Sequence, residues 1–252
     1  MRKLKLNLLL ITAILVARPL LADEVVSSSQ PGWKLVWSDE FDGESLDRSK
    51  WNIGDEAPVK NMELEAYSPD KTYLKEGHLI LKSTDEPYRG RRYSSGLVDT
   101  KGKFSQTYGR FEARARLPKG QGIWPAIWML PQDGSWPPEI DIVELLGHEP
   151  NTIHCTVHWE KFGKHEEAGT PVKGPDFTKG LHVYAVEWEK DSIRWFIDGQ
   201  EVFSVQKNVP EKPFYLILNT AVGGLWPGNP DSTTKFPQYH VIDYVRVYEQ
   251  DK

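Results

Sequence analysis

The chain contains a single cysteine, Cys155, among 252 residues. One cysteine cannot form an internal disulfide, so the sequence excludes a small disulfide-stabilised scaffold. A chain of this length can bury a core large enough to be stable without such bonds. Cys155 lies in the alternating segment Thr152–His158, which predicts a strand with a buried structural thiol. A catalytic thiol is the alternative, but His154 and His158 lie on the opposite face of that strand.

The sequence also lacks an apolar run long enough to favour a membrane span. Three basic residues within the first five precede an apolar run of only twelve, Leu6–Ala17, and the small residue Ala22 follows. This pattern predicts a signal peptide over residues 1–22, and export to the periplasm or the extracellular space. Residues 23–31 are expected to form a flexible leader, and 32–252 a single domain, because no linker or repeat interrupts them.

Positive charge is scarce relative to negative charge. The net charge is −5, and loss of the four basic residues of the signal peptide takes it to −9. An acidic protein is poorly suited to nucleic acid or to anionic membranes, so neither is an expected partner. No group of histidine and cysteine residues has the spacing of a zinc site.

Helical signals are few and short, the best being Leu46–Trp51. The periodicity is that of strands instead. Residues 110–117 and 241–248 alternate apolar and polar side chains, and two apolar runs within 193–203 are joined by Asp-Gly, a hairpin signal. Many strands without a βαβ rhythm predict an all-β fold of two packed antiparallel sheets, either a sandwich or a jelly roll.

One predicted strand, Glu139–Glu144, is acidic on one face. Glu139 and Asp141 alternate with Ile140 and other aliphatic residues, but Glu144 falls on the wrong parity. A β-bulge at about residues 142–143 would return Glu144 to the acidic face. An ordinary exposed acidic face is the alternative, although like charges in one row repel each other and cost stability.

Three carboxyl groups in one row suit glycosidic cleavage, which needs one ionised and one protonated carboxyl group beside the bond. A third acid between them can hold a shared proton and separate their pKa values. The spacing alone leaves retention and inversion both open. They differ in the separation of the carboxyl groups, about 5–5.5 Å against about 6.5–9.5 Å.

The acidic strand resembles that of glycoside hydrolase family 16, whose bulged members carry Glu-x-Asp-x-x-Glu. Other segments of the chain resemble the family in the expected order, at residues 35–41, 109–130, 218–224 and 243–248. The resemblance implies a concanavalin-like jelly roll with a cleft across its concave sheet. It implies a retaining mechanism in which Glu139 is the nucleophile, Asp141 the helper acid and Glu144 the general acid/base.

The resemblance also implies substrate-binding residues along the cleft. Asn61 and Glu63 match a segment that binds substrate in laminarinases, whereas Met62 and Glu65 of this chain depart from that pattern. An ordinary exposed loop is the alternative for this segment. Flat aromatic rings suit sugar faces, and they equally suit cores. The complete set of expected substrate-binding residues is Asn61, Glu63, Trp124, Trp128, Trp136, His158, Asn219 and Trp226.

One departure from laminarinases concerns specificity. Where they commonly carry an arginine this chain has Leu97, which cannot donate to a sugar hydroxyl. We therefore expect an endo-hydrolase of β-1,3 or mixed β-1,3-1,4 glucans, with a galactan such as agar left open. A non-catalytic carbohydrate-binding protein on the same fold and a transglycosylase are further alternatives.

The resemblance implies no cofactor for catalysis and one structural calcium far from the cleft. Its oxygen donors would be Glu40, the carbonyl of Gly77 and Asp243. Ordinary strand-end carboxylates are the alternative for Glu40 and Asp243. The expected partner is a polysaccharide, and the expected oligomeric state is a monomer.

Overall fold

A computed structural model describes residues 31–251 as two antiparallel β-sheets with one short 3₁₀ helix. The expected signal peptide, and the leader apart from Pro31, lie outside the described residues. Within residues 31–251, no helix is both long and apolar enough to cross a membrane.

The first sheet has eight strands and contains both chain ends of the described fold. Its spatial order is β15-β14-β13-β8-β17-β5-β4, and β1 also pairs with β17. The strands are β1 (Trp33–Asp39), β4 (Thr72–Lys75), β5 (His78–Ser83), β8 (Gly109–Arg116), β13 (His182–Trp188), β14 (Ile193–Ile197), β15 (Gln200–Val205) and β17 (Gln238–Gln250).

The second sheet has seven strands in the order β12-β11-β10-β9-β16-β7-β2, and the edge strand β12 is mostly exposed. A parallel pair, β3 and β6, and the 3₁₀ helix η1 lie outside both sheets. The remaining elements are β2 (Asn52–Ile53), β3 (Glu65–Tyr67), η1 (Pro69–Lys71), β6 (Tyr93–Ser95), β7 (Leu97–Asp99), β9 (Ile123–Pro131), β10 (Glu139–Leu145), β11 (Thr152–Lys161), β12 (Lys164–Lys173) and β16 (Phe214–Val222).

The core lies between the two sheets because each strand turns its apolar side chains toward the other sheet. Ile140 of β10 faces this layer together with Trp188 and Trp195 of the opposite sheet, and all three are fully buried. Burial of a large apolar side chain contributes about 1.5–3 kcal/mol relative to exposure. The all-β architecture predicted from the sequence is confirmed.

The strongest local signals fall where they were expected. The Asp-Gly hairpin joins β14 to β15, and the long alternating segments become β8 and β17. Leu46–Trp51 does not form a helix. Instead, the carbonyl of Asp47 accepts hydrogen bonds from the backbone N–H groups of Lys50 and Trp51, which gives a single turn. Trp51 is fully buried in the core, and the segment does not continue as a helix beyond this turn.

Candidate active site

The predicted bulge is present in β10. Asp141 pairs with Trp128 of β9 and Val143 with Ile127, so Ile142 is the extra residue on the β10 side. Pairing with β11 shifts over the same interval. Ile142 and Val143 are both buried in the core. The bulge therefore returns Glu144 to the face that carries Glu139 and Asp141.

Two side chains satisfy the backbone carbonyls that the bulge frees from regular pairing. The indole N–H of Trp195, on the opposite sheet, donates to the carbonyl of Asp141 at 2.8 Å. The thiol of Cys155 lies 3.6 Å from the carbonyl of Ile142 and donates a weaker hydrogen bond. Burial raises the pKa of the Cys155 thiol, which is buried as expected for a structural cysteine.

The three carboxyl side chains lie together in a cleft on the outer face of the seven-stranded sheet. Strands β9, β10 and β16 form its floor, and the loop before β3 forms one wall. Five of the eight residues expected to bind substrate line this cleft as well. The lining residues are Lys60, Asn61, Glu63, Trp124, Ala126, Trp128, Glu139, Asp141, Glu144, Asn219 and Ala221.

Asp141 is the central and most enclosed acid of the row, with only 2% of its surface exposed. Burial raises its pKa far above the ordinary value, and the neighbouring Glu139 carboxylate raises it further. Its Oδ2 lies 2.9 Å from Nε2 of His158 on the neighbouring strand β11. Asp141 is thus placed to hold a proton between Glu139 and the imidazole.

Glu144 occupies the other end of the row. Burial raises its pKa well above the ordinary value, and the charge of Asp141 adds to this shift. A hydrogen bond from the indole N–H of Trp124 to its Oε1, 3.0 Å long, acts in the opposite direction. A carboxyl group that keeps its proton near neutral pH can serve as a general acid.

Glu139 begins β10 and is partly exposed to the cleft. Its Oε2 accepts a hydrogen bond of 2.6 Å from the indole N–H of Trp136. Trp136 itself does not line the cleft floor; it projects at the rim with 57% of its surface exposed. Glu139 therefore sits at the open end of the row, beneath an exposed aromatic ring.

The remaining aromatic residues take different positions. Trp128 lies in the cleft, where its indole N–H donates to Oδ1 of Asn219 at 2.8 Å, and Asn219 in turn donates to the hydroxyl of Tyr67 at 2.7 Å. Trp226 stands at the rim, 42% exposed, with its ring against Trp124 at a centroid distance of 5.4 Å. The cleft thus has aromatic side chains on its floor and at its rim.

The wall segment around Asn61 is not the ordinary exposed loop considered above. Glu63 is 4% exposed and Glu65 fully buried, and Asn61 donates to Oε1 of Glu63 at 3.0 Å. Burial and the Glu63 carboxylate raise the pKa of Glu65 to about 8. Oε2 of Glu63 and Oε1 of Glu65 have no partner among residues 31–251, so a proton shared between the two carboxyl groups would satisfy both.

The residues expected to bind calcium do not fit that ion. Both carboxylate oxygens of Glu40 accept hydrogen bonds from the guanidinium of Arg246, at 3.0 and 2.7 Å. Asp243 pairs with Arg114 at 2.7 Å. Calcium requires six to eight oxygen ligands, and these carboxylates are already neutralised by arginine. The structure therefore gives no support for calcium at these two carboxylates, and the calcium site stays a prediction.

Several residues of the site were not identified from the sequence. Lys60 carries its ammonium group over the ring of Trp128, 4.7 Å from its centroid. Trp195 of the opposite sheet supports the bulge through its indole N–H. His165 on β12 lies 2.9 Å from His158. Residue type is the only sequence signal for Trp195 and His165, which packing and pairing of strands bring to the site from distant segments, whereas Lys60 directly precedes Asn61 in the wall.

Comparisons with known proteins point to one family. The family profile described as "Glycosyl hydrolases family 16" matches residues 55–246. A curated β-glucanase of Rhodothermus marinus is 41% identical over 250 residues, covering 88% of this chain and 87% of that protein.

Solved structures give the same result. The catalytic domain of the Thermotoga maritima laminarinase superposes with a TM-score of 0.81 at 38% identity, covering 87% of this chain and 99% of that one. The endo-β-1,3-glucanase of Pyrococcus furiosus has a TM-score of 0.81 at 40% identity, covering 87% of this chain and 95% of that one.

Proposed function

This chain belongs to glycoside hydrolase family 16, and we propose that it is an endo-acting hydrolase of internal β-1,3 or mixed β-1,3-1,4 linkages in glucans. The observation that carries the proposal is the row formed by Glu139, Asp141 and Glu144 on the floor of one cleft. The bulge places all three on one face, and burial raises the pKa values of Asp141 and Glu144 above their ordinary values, which favours a protonated acid beside the nucleophile.

The reaction proceeds by double displacement. Glu139 attacks the anomeric carbon as the glycosidic bond breaks, and the proton of Glu144 passes to the leaving oxygen. Glu144, now ionised, removes a proton from water, whose oxygen attacks the same carbon and releases Glu139. Asp141 keeps its own proton through both steps and donates a hydrogen bond to Glu139. These side chains supply the nucleophile and the acid, so no cofactor takes part.

The cleft walls support an extended sugar chain as substrate. Aromatic rings at the rim, Trp136 and Trp226, flank the acidic row, and flat sugar faces stack on such rings. Asn61 and Asn219 offer amide groups between them. An open cleft of this kind admits a chain from the side, which fits internal cleavage.

A digestion panel tests the activity. The purified protein is incubated with laminarin, barley mixed-linkage glucan, agarose and carrageenan, and product sizes are followed over time. Early mixtures of short oligosaccharides from a glucan are expected and identify its linkage. Cleavage of a galactan alone would show the substrate to be wrong, and products longer than the starting chain would show transglycosylation.

Binding without any cleavage would instead favour a non-catalytic carbohydrate-binding protein.

Retention is tested separately by proton NMR of a fresh digest. The β-anomer is expected to appear first, because two displacements restore the configuration. The α-anomer as the first product would contradict the double displacement.

We also propose that the protein is exported and acts as a monomer. Export is supported by the basic and apolar pattern of residues 1–22, and the N-terminus of the secreted protein is expected at Asp23. N-terminal sequencing and size-exclusion chromatography with light scattering test the two statements.

A further inference from the structure

A group of two imidazoles and one carboxylate lies beside the acidic row, and none of the three side chains forms or breaks a bond to the substrate in the proposed reaction. We call His158, His165 and Glu167 the imidazole cluster. Glu167 of the edge strand β12 is the direct cross-strand partner of His158 on β11, and His165 is two residues from Glu167 on the same face. Strand register therefore brings the three side chains together.

The donor atoms of the imidazole cluster form a compact triangle. Nδ1 of His158 lies 2.9 Å from Nε2 of His165 and 3.3 Å from Oε2 of Glu167, and the third side of the triangle is 3.9 Å. A tetrahedral zinc ion with ligands at about 2.0–2.1 Å separates them by about 3.4 Å. We propose that the imidazole cluster binds one divalent transition-metal ion of the zinc type.

Asp141 gives the cluster the outer partner that metal-binding histidines have. Its Oδ2 lies 2.9 Å from Nε2 of His158, and an Nε2–H that donates to this carboxylate leaves the lone pair of Nδ1 directed at the other two donors. Such a carboxylate fixes the tautomer and orientation of a ligating imidazole. The ring of Trp136 packs against that of His165 at a centroid distance of 5.1 Å and an interplanar angle of 35°, which restrains the imidazole.

Access and chemistry agree with the geometry. The side chains of His165 and Glu167 are 38% and 60% exposed, whereas that of His158 is 15% exposed, so an ion can enter from solvent on the β12 side. Two imidazole nitrogens with one carboxylate suit zinc or copper, whereas calcium and magnesium prefer oxygen alone. Three protein ligands leave one tetrahedral position for water.

The test is equilibrium dialysis of the full protein, purified without a histidine tag, against zinc chloride. One equivalent is expected to bind, and cobalt chloride should give the visible absorption of a tetrahedral site. His165→Ala and Glu167→Gln should each weaken zinc binding at least about tenfold, since loss of a ligand costs no less than loss of an outer partner.

Glu166→Gln is the matched control, because Glu166 neighbours both ligands on β12 but its side chain alternates to the other face. It should bind zinc like the native protein. The site is disproved if the native protein binds no stoichiometric zinc at micromolar concentrations, or if His165→Ala and Glu167→Gln bind as tightly as Glu166→Gln. Dialysis measures binding without substrate, so the result does not depend on whether the protein hydrolyses glucans.

Discussion

The two sheets enclose acidic side chains in opposite ways. On the eight-stranded sheet, buried Glu112 and Glu187 both pair with Arg110, at 2.6 and 2.9 Å, and Glu187 also pairs with Arg194 at 2.6 Å. On the seven-stranded sheet, within residues 31–251, no lysine or arginine forms an ion pair with any carboxylate of the acidic row. In that described part of the chain, the imidazole of His158 is the one basic group that pairs with the acidic row, through Asp141.

This difference distinguishes carboxylates that stabilise the fold from carboxyl groups that can transfer a proton. An arginine beside a buried carboxylate favours its charged form, so the group stays ionised and fixed. Burial without a cation favours the protonated form instead, and the pKa values of Asp141 and Glu144 rise. Because no arginine or lysine among residues 31–251 pairs with the acidic row, the raised pKa values favour a transferable proton on that row.

The largest expected effect is on the acidic row. Glu139→Gln removes the nucleophile and Glu144→Gln the transferable proton, and each should lower kcat by at least about 10³-fold. Because neither carboxylate takes part in a cationic pair, the fold should survive both changes. Hydrolysis rates and thermal unfolding measure the two effects, and substantial turnover in both variants would contradict the assignment.

The opposite outcome is expected on the other sheet. Glu112→Gln leaves buried Arg110 with one fewer anionic partner and should destabilise the fold by about 3 kcal/mol. The kcat of the folded fraction should remain native. Urea unfolding measures the loss of stability, with Glu189→Gln as the control, because its pair with Arg194 is partly exposed and contributes at most about 1 kcal/mol. Equal losses in the free energy of unfolding for the two variants would contradict a structural role for the buried pair of Glu112 and Arg110.

Glu65, in the cleft wall, is a further buried carboxyl group whose pKa is raised. Its pKa in the folded protein is about 8, above the ordinary 4.5, so its protonated form is the one that the fold favours. Its contribution to stability is therefore fully present below about pH 4.5 and is lost as the pH rises through 8. Glu65→Gln, which cannot ionise, should remove this loss, on the order of a few kcal/mol. Thermal unfolding of both proteins between pH 5 and about pH 9 measures it, and parallel pH profiles would count against the shared proton.

The smallest expected effect concerns the support of the bulge. Trp195→Phe keeps an aromatic ring in the core but leaves the carbonyl of Asp141 without the indole donor. An unsatisfied buried acceptor costs about 1–3 kcal/mol, and the loosened bulge should also lower kcat. Trp188→Phe is the control, because its indole donates to the carbonyl of Pro210, away from the cleft. Equal losses of kcat in the two variants would show that Trp195 acts through packing alone.

Local patterns in the sequence were sufficient to predict the two sheets and the bulge. Strand alternation predicted the two sheets, and the parity mismatch of Glu144 predicted the bulge at the position where pairing shifts. These features depend on neighbouring residues, whose side chains alternate with a fixed period. The grouping of Trp124 and Trp128 with the acidic row came from the resemblance to a family.

Contacts between distant segments could not be predicted from local patterns in the sequence. His165 and Glu167 reach His158 only through the register of β11 and β12, which no local pattern specifies. The pairs of Arg246 with Glu40 and of Arg114 with Asp243, at the predicted calcium site, likewise form across strands. Burial of Glu65 likewise depends on packing of the wall against β16, whose Val222 N–H donates to it.

The most direct test of the central claim is a carbon-13 NMR titration of the glutamate side-chain carboxyls, with Glu144→Gln used to assign the Glu144 signal. Burial without a cation predicts that Glu144 keeps its proton well above pH 4.5, its ordinary pKa. If Glu144 ionises at or below its ordinary pKa, it cannot supply the proton, and the distinction between the two sheets fails.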